Sequence, residues 1–151
     1  MNPKIEEAVA GLEKLIGVPL PTDYREFLLG YGGDDLQDKS YWMPHPDGRW
    51  IETICECYCI DFLLDDIMPP EIELRRRGMG DFAPGFLPIA NNGCGDTVLL
   101  SYRDRDRGSV YHYFHEEADS ENRSAGLYLL SVTFSDWLNQ IQTFSDDEPD
   151  A

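Results

Sequence analysis

The hydrophobic pattern of this chain changes period twice, and that change constrains the fold more than any single motif. At the start, Ile5, Ala8, Val9, Leu12, Leu15 and Ile16 recur at helical spacing. Asn2 can cap this segment, Pro3 suits a first helical position and Gly17 ends it. A second helical stretch carries Tyr24, Phe27, Leu28 and Tyr31, opens at Pro21, closes at Gly32-Gly33, and places Asp23 in its first turn, where the helix dipole favours an anion. The middle of the chain reads differently. Phe86–Ala90, Thr97–Tyr102 and Gly108–Phe114 are short apolar runs joined by turn chemistry, with Leu127–Val132 as a further strand. Helical spacing returns with Phe134, Trp137, Leu138 and Ile141, after a Thr133/Asp136 pair that resembles a capping box. Helices at both ends and strands between them predict an α+β fold with a mainly antiparallel sheet, not alternating βαβ units.

The region between is less regular. Tyr41–Gly48 is rich in Pro, Gly and aromatics and predicts a loop with a short strand. Glu52–Phe62 predicts a strand, and the segment from Asp65 to Gly80 a short helix with Pro70 and Glu71 at its start and Arg75-Arg76-Arg77 at its end, before Gly78. With 151 residues, no repeat and no composition break, one domain over 1–144 is expected, followed by an acidic tail over 145–151. A chain of this length buries roughly 70% of the surface its unfolded form exposes, enough for a core without staples.

Charge narrows the partners. Twelve Lys+Arg against 29 Asp+Glu give −17. Nucleic acid requires a basic patch that releases counterions, so direct nucleic-acid binding is excluded, and an anionic membrane surface is disfavoured for the same reason. A basic protein partner is favoured. There is no signal pattern at the N-terminus and no apolar run near the ~20 residues of a membrane span, so a cytoplasmic location is expected.

Candidate chemistry is sparse. Asn91-Asn92-Gly93-Cys94-Gly95-Asp96 lacks the Lys and helix start of a phosphate loop, and Asp96 would repel phosphate. A tight strand–turn–strand joint is the stronger expectation, a catalytic loop the weaker. Cys55, Cys57 and Cys59 alternate, so on a strand they share a face at ~6.5–7 Å spacing, too far for an unstrained disulfide. With Cys94 they lack paired CxxC spacing, and buried thiols are expected rather than metal ligands. His112 and His115, three apart on a strand, are expected to face opposite sides as a partly exposed pair, and His45 to lie in a loop. No nucleophile, base and orienting group assemble, so no catalytic residue, cofactor or metal is expected. The acidic groups Asp34, Asp35, Asp38 and Glu116, Glu117, Asp119, Glu121 are candidates for a charged interface, with Tyr41, Trp42 and Trp50 as aromatic anchors.

Four segments carry a resemblance. "LPTDYREFLLGYGG" (Leu20–Gly33) looks like the opening motif of the SUKH superfamily, in the group that includes yeast cell-wall-assembly regulators and many bacterial immunity proteins. "FLPIANNGCGDTVLLS" (Phe86–Ser101), "GSVYHYFHE" (Gly108–Glu116) and "TFSDWL" (Thr133–Leu138) resemble its later motifs, in the same order. The matching positions are Leu20, Pro21, Tyr24, Phe27, Gly33, Pro88, Gly95, Asp96 and Trp137. Tyr31, where the family often has Asn, and Cys94 depart from the pattern. The resemblance implies a central twisted sheet flanked by N-terminal and C-terminal helices. It makes the Gly-Asp turn a fold signature in which Asp96 hydrogen-bonds local backbone. It also implies a non-enzymatic role. The expected one is an immunity protein that binds a cognate bacterial toxin, a nuclease by preference, and occludes its basic substrate site. The alternative is a regulatory scaffold.

Overall fold

The computed structural model describes residues 3–31, 39–44, 48–58, 63–64, 85–92, 95–117, 121–122 and 125–143. The short helix expected from Pro70 to Arg77, together with Gly33, Asp34, Asp35, Asp38, His45, Cys59, Cys94, Asp119 and the acidic tail, lies outside them.

Two helices open the fold, α1 (Pro3–Ile16) and α2 (Thr22–Tyr31). Val9 and Leu12 of α1 and Tyr24, Phe27 and Leu28 of α2 are buried, whereas Leu15, at the margin of the apolar face, is exposed. Gly17 takes φ +84° to end α1, a conformation that favours glycine. Glu13 then clasps the connection: its carboxylate accepts from the Leu20 N–H at 2.7 Å and pairs with Arg25 at 3.5 Å.

Seven strands follow: β1 (Lys39–Pro44), β2 (Trp50–Cys57), β3 (Phe86–Asn91), β4 (Thr97–Ser101), β5 (Val110–Tyr113), β6 (Leu127–Ser131) and β7 (Gln142–Thr143). They pair in the order β6-β5-β4-β3-β2-β1-β7, and every pairing is antiparallel. The helix α3 (Phe134–Gln140) falls between the last two strands. The architecture is α+β, with helices flanking an antiparallel sheet, as the change of period predicts.

Three details add to or refine the expectation. The segment expected to be loop with a short strand begins as a six-residue strand, because Lys39–Pro44 finds a continuous partner in Trp50–Cys55. The two residues of β7, not anticipated at all, pair with Ser40 and Lys39. The turn Arg103–Gly108 tightens into a 3-10 turn over Asp104–Asp106. In it, the Asp106 carboxylate accepts from Ser101, Arg103 and Tyr111. The Arg103 guanidinium also lies 4.3 Å from the Phe86 ring centroid.

The core lies between the helices and one sheet face. Phe134 and Trp137 of α3 meet Tyr24 and Phe27 of α2, with Phe134 edge-on to Tyr24 at 4.9 Å and to Phe27 at 5.1 Å. Thr133 caps α3 as expected, its side chain accepting from the Asp136 N–H at 3.1 Å. Asp23 ties the two helices together by accepting from the backbone and hydroxyl of Ser135. Val98, Leu100 and Val110 complete this layer, while Phe86, Leu99 and Tyr113 form a smaller cluster. The strand alternation predicts that split, since successive residues point to opposite faces.

Candidate functional site

The turn that joins β3 to β4 is the polar centre of the molecule. Asn92 and Asp96 close it reciprocally: the Asn92 N–H donates to the Asp96 carbonyl, and the Asp96 N–H to the Asn92 side chain at 3.1 Å. Gly95 holds φ +99°, and a Cβ there would stand 2.8 Å from His115 Cε1. Glycine is therefore required twice, by the backbone angle and by the ring stacked on it.

With the turn shut, the Asp96 carboxylate reaches two histidines. His112 Nε2 lies 2.9 Å from Oδ2, and His115 Nδ1 lies 2.6 Å from Oδ1, which also accepts the His115 N–H at 3.1 Å. Partial burial pushes this carboxyl up, but the bonds from His112 and His115 outweigh it and hold Asp96 below the usual carboxylate range. An ionised carboxylate only accepts, so His112 Nε2 carries a proton, and in the neutral ring Nδ1 accepts from the Tyr41 hydroxyl at 2.6 Å. The result is a buried relay from β1 through β5 to the turn.

His112 corrects an expectation. It is 1% exposed, not partly exposed. It alternates with Val110 and Phe114 and so faces the core. His115 does not sit on the opposite face, because β5 ends at Tyr113 and the chain turns into a 3-10 turn over His115–Glu117. That turn carries both histidines to one carboxylate. Tyr41 is corrected too. It is 1% exposed, edge-on to Trp137, and serves as core rather than as a surface anchor.

Tyr41, His112 and Asp96 have the residue types of a hydroxyl–imidazole–carboxylate relay. The Tyr41 hydroxyl is buried, and the bonded series ties β1, β5 and the turn together as a brace. What it braces is acidic. Glu116 and Glu117 are exposed on the turn that Asp96 pins. Tyr128 on β6 donates to Glu117 at 3.1 Å, which raises the tyrosine pKa. Glu121 is exposed just beyond.

The other candidates are placed apart. Trp50 is 66% exposed at the start of β2. The Asp96 turn lies at the opposite end of that strand, where Glu56 pairs with Asn91. The separation is about 20 Å at the strand rise of ~3.3 Å per residue. Trp42 is partly buried, with its indole nitrogen enclosed and unbonded. Cys57 is buried in the core. Among the described residues no group of three or more His, Cys, Asp or Glu is placed to hold a metal ion. None of the described helices is long and apolar enough to cross a membrane. An open cleft of about 530 Å³ lies between Pro21, Asp23 and Glu26 on one side and Arg107 and Gly108 on the other. Arg107 donates across it to the Pro19 carbonyl.

Sequence reasoning missed the joint role of Tyr41, His112 and Asp96. The signal was available for one of them, since His112 shares the alternation of Val110 and Phe114.

An antiparallel sheet flanked by helices carries a Gly-Asp turn whose carboxylate holds two histidines, His112 buried and His115 exposed. The model of the SMI1 / KNR4 family (SUKH-1) matches residues 5–140, and the chain belongs to that family. Comparison with curated proteins and with solved structures returned no match.

Proposed function

We propose that this protein is an immunity protein, which binds a cognate toxin of basic surface, a nuclease by preference, and covers its substrate site. The observation that carries this reading is the charge of −17. It is joined to exposed Glu116 and Glu117 on a turn whose first residue, His115, is hydrogen-bonded to Asp96. A turn bonded in this way lowers the ordering cost of presenting its charges to a partner. Complementary fields raise association rates to about 10⁸–10⁹ M⁻¹s⁻¹ at low salt, which suits a protein whose partner is lethal to its producer. Family membership supports a non-enzymatic binding role.

The test is a titration against any toxin domain that a neighbouring gene encodes, at low and at high salt. Tight binding that salt weakens, together with loss of toxin activity, is the expected result. Tight but salt-insensitive binding removes the electrostatic face. Absence of binding with an active toxin removes the immunity reading.

A further inference from the structure

The sheet ends at β6, and among the described residues no strand pairs with its outer side. The Phe114 N–H donates to the Gly126 carbonyl at 2.9 Å, which makes that opposed pair hydrogen-bonded. Antiparallel pairs alternate between bonded and non-bonded. Tyr128 with His112 is then the next bonded pair, and Leu127 with Tyr113 and Leu129 with Tyr111 are non-bonded. The backbone N–H and C=O groups of Leu127 and Leu129 therefore point away from the sheet.

Proteins usually protect such an edge with Lys, Pro or a short twisted strand. Leu127–Ser131, sequence LYLLS, contains neither a charge nor a proline, and its one irregularity, a register shift opposite Val110 and Tyr111, leaves Leu127–Leu129 in regular pairing. Leu129 is 56% exposed and Val132, just beyond, is 68% exposed. Acid flanks this apolar edge, since Glu117 accepts from Tyr128 within the strand itself.

We infer that the β6 edge receives an extended segment of a cationic partner, which adds an eighth antiparallel or parallel strand and alternates apolar with Lys or Arg side chains. Backbone bonds to Leu127 and Leu129 supply the affinity, and the acidic turn supplies the selection for positive charge. A second copy is the poorer occupant, because each copy brings a charge of −17 to the contact. The identity of the partner as a toxin rests on the reading above, whereas the edge and its preference for a cationic strand do not.

Amide hydrogen exchange on the full chain separates these claims. In complex with a toxin domain that a neighbouring gene encodes, the Leu127 and Leu129 amides should gain protection. Leu129→Pro removes an outward N–H and no ladder bond, a position where an edge strand tolerates proline. Leu129→Lys keeps the backbone and adds a repelling charge. Each should weaken binding about tenfold or more while leaving the melting temperature near that of the parent. A toxin that binds without protecting these amides overturns the edge and leaves immunity standing. Where that toxin does not bind, a ten-residue peptide of alternating Lys and Val decides. Protection of both amides by it, and not by the Glu/Val counterpart, upholds the edge, and no protection overturns it. Self-association that Leu129→Lys abolishes would make the occupant a second copy and overturn the proposal.

Discussion

Replacing Asp96 with Ala tests the brace directly. The carboxylate accepts from His112 Nε2, His115 Nδ1, the His115 N–H and the Asn92 side chain. The His112 proton matters most, because the ring is 1% exposed and loses its carboxylate acceptor. A buried donor left unsatisfied costs about 1–3 kcal/mol. The bonds to the half-exposed His115 ring add less, because solvent screens them. The sum is about 2–4 kcal/mol, or roughly 5–15 °C in a chain of this size. Asp96→Asn keeps the shape but loses the charge, and should fall between parent and Ala. The pH dependence has a definite sign. The folded Asp96 pKa is depressed, so its contribution is complete above the unfolded value near 3.9 and is lost as pH falls through the folded one. Urea unfolding of parent and variant at pH 7, and again at intervals below pH 4, should show the gap closing. A loss under about 1 kcal/mol at pH 7 would refute the brace. A gap unchanged by acid would refute the charge on it.

Asp106 offers a parallel case. Burial pushes its carboxyl up, but bonds from Arg103, Ser101 and Tyr111 prevail and bring it down to about 2. Asp106→Asn should therefore cost about 1–2 kcal/mol at neutral pH after allowance for screening, and progressively less as pH falls from about 4 toward 2, by the same denaturation series. Gly95→Ala sets a Cβ 2.8 Å from the His115 ring at φ +99°, and should cost about 1–3 kcal/mol with a shift of the His115 NMR resonances. Thr133→Ala removes the cap of α3 and should lower stability by about 1 kcal/mol in thermal melts. The double variant Glu116→Gln, Glu117→Gln should slow toxin association and flatten its salt dependence in stopped-flow, with dissociation little changed.

The elements were legible where local physics decides them. The i, i+3, i+4 spacing of Tyr24, Phe27 and Leu28 and the Thr133 cap are properties of a few neighbouring residues. The strands around Asn91–Asp96 and Arg103–Gly108 follow from turn chemistry of the same short range. Tyr41 and His112 were misplaced because their setting is long-range. An aromatic near Pro44 resembles loop until β2 is known to lie beside it, and a histidine in a strand looks half-exposed until its acceptor is found 16 residues away in Asp96. Asp96 itself was singled out, but as a local turn residue. Its two histidine partners depend on β5 ending at Tyr113, a boundary that no pattern marks. The edge of the sheet was invisible for a similar reason, since strand order is a global property.

The brief pairing of β7 with β1 has a consequence for the order of events on the ribosome. Ser40 waits for Gln142, and Asp23 waits for Ser135, 112 residues later, to unite the first helices with the last. The meander from β3 to β6 can assemble as it emerges, because its contacts join near neighbours in the chain. The N-terminal helices and the outer side of β1 cannot reach their final partners until nearly the whole described chain has been made. During synthesis this protein is thus half-built from its middle, with its oldest segments unfinished longest. A slow or stalled ribosome near residue 130 would leave those segments open to aggregation or to chaperones.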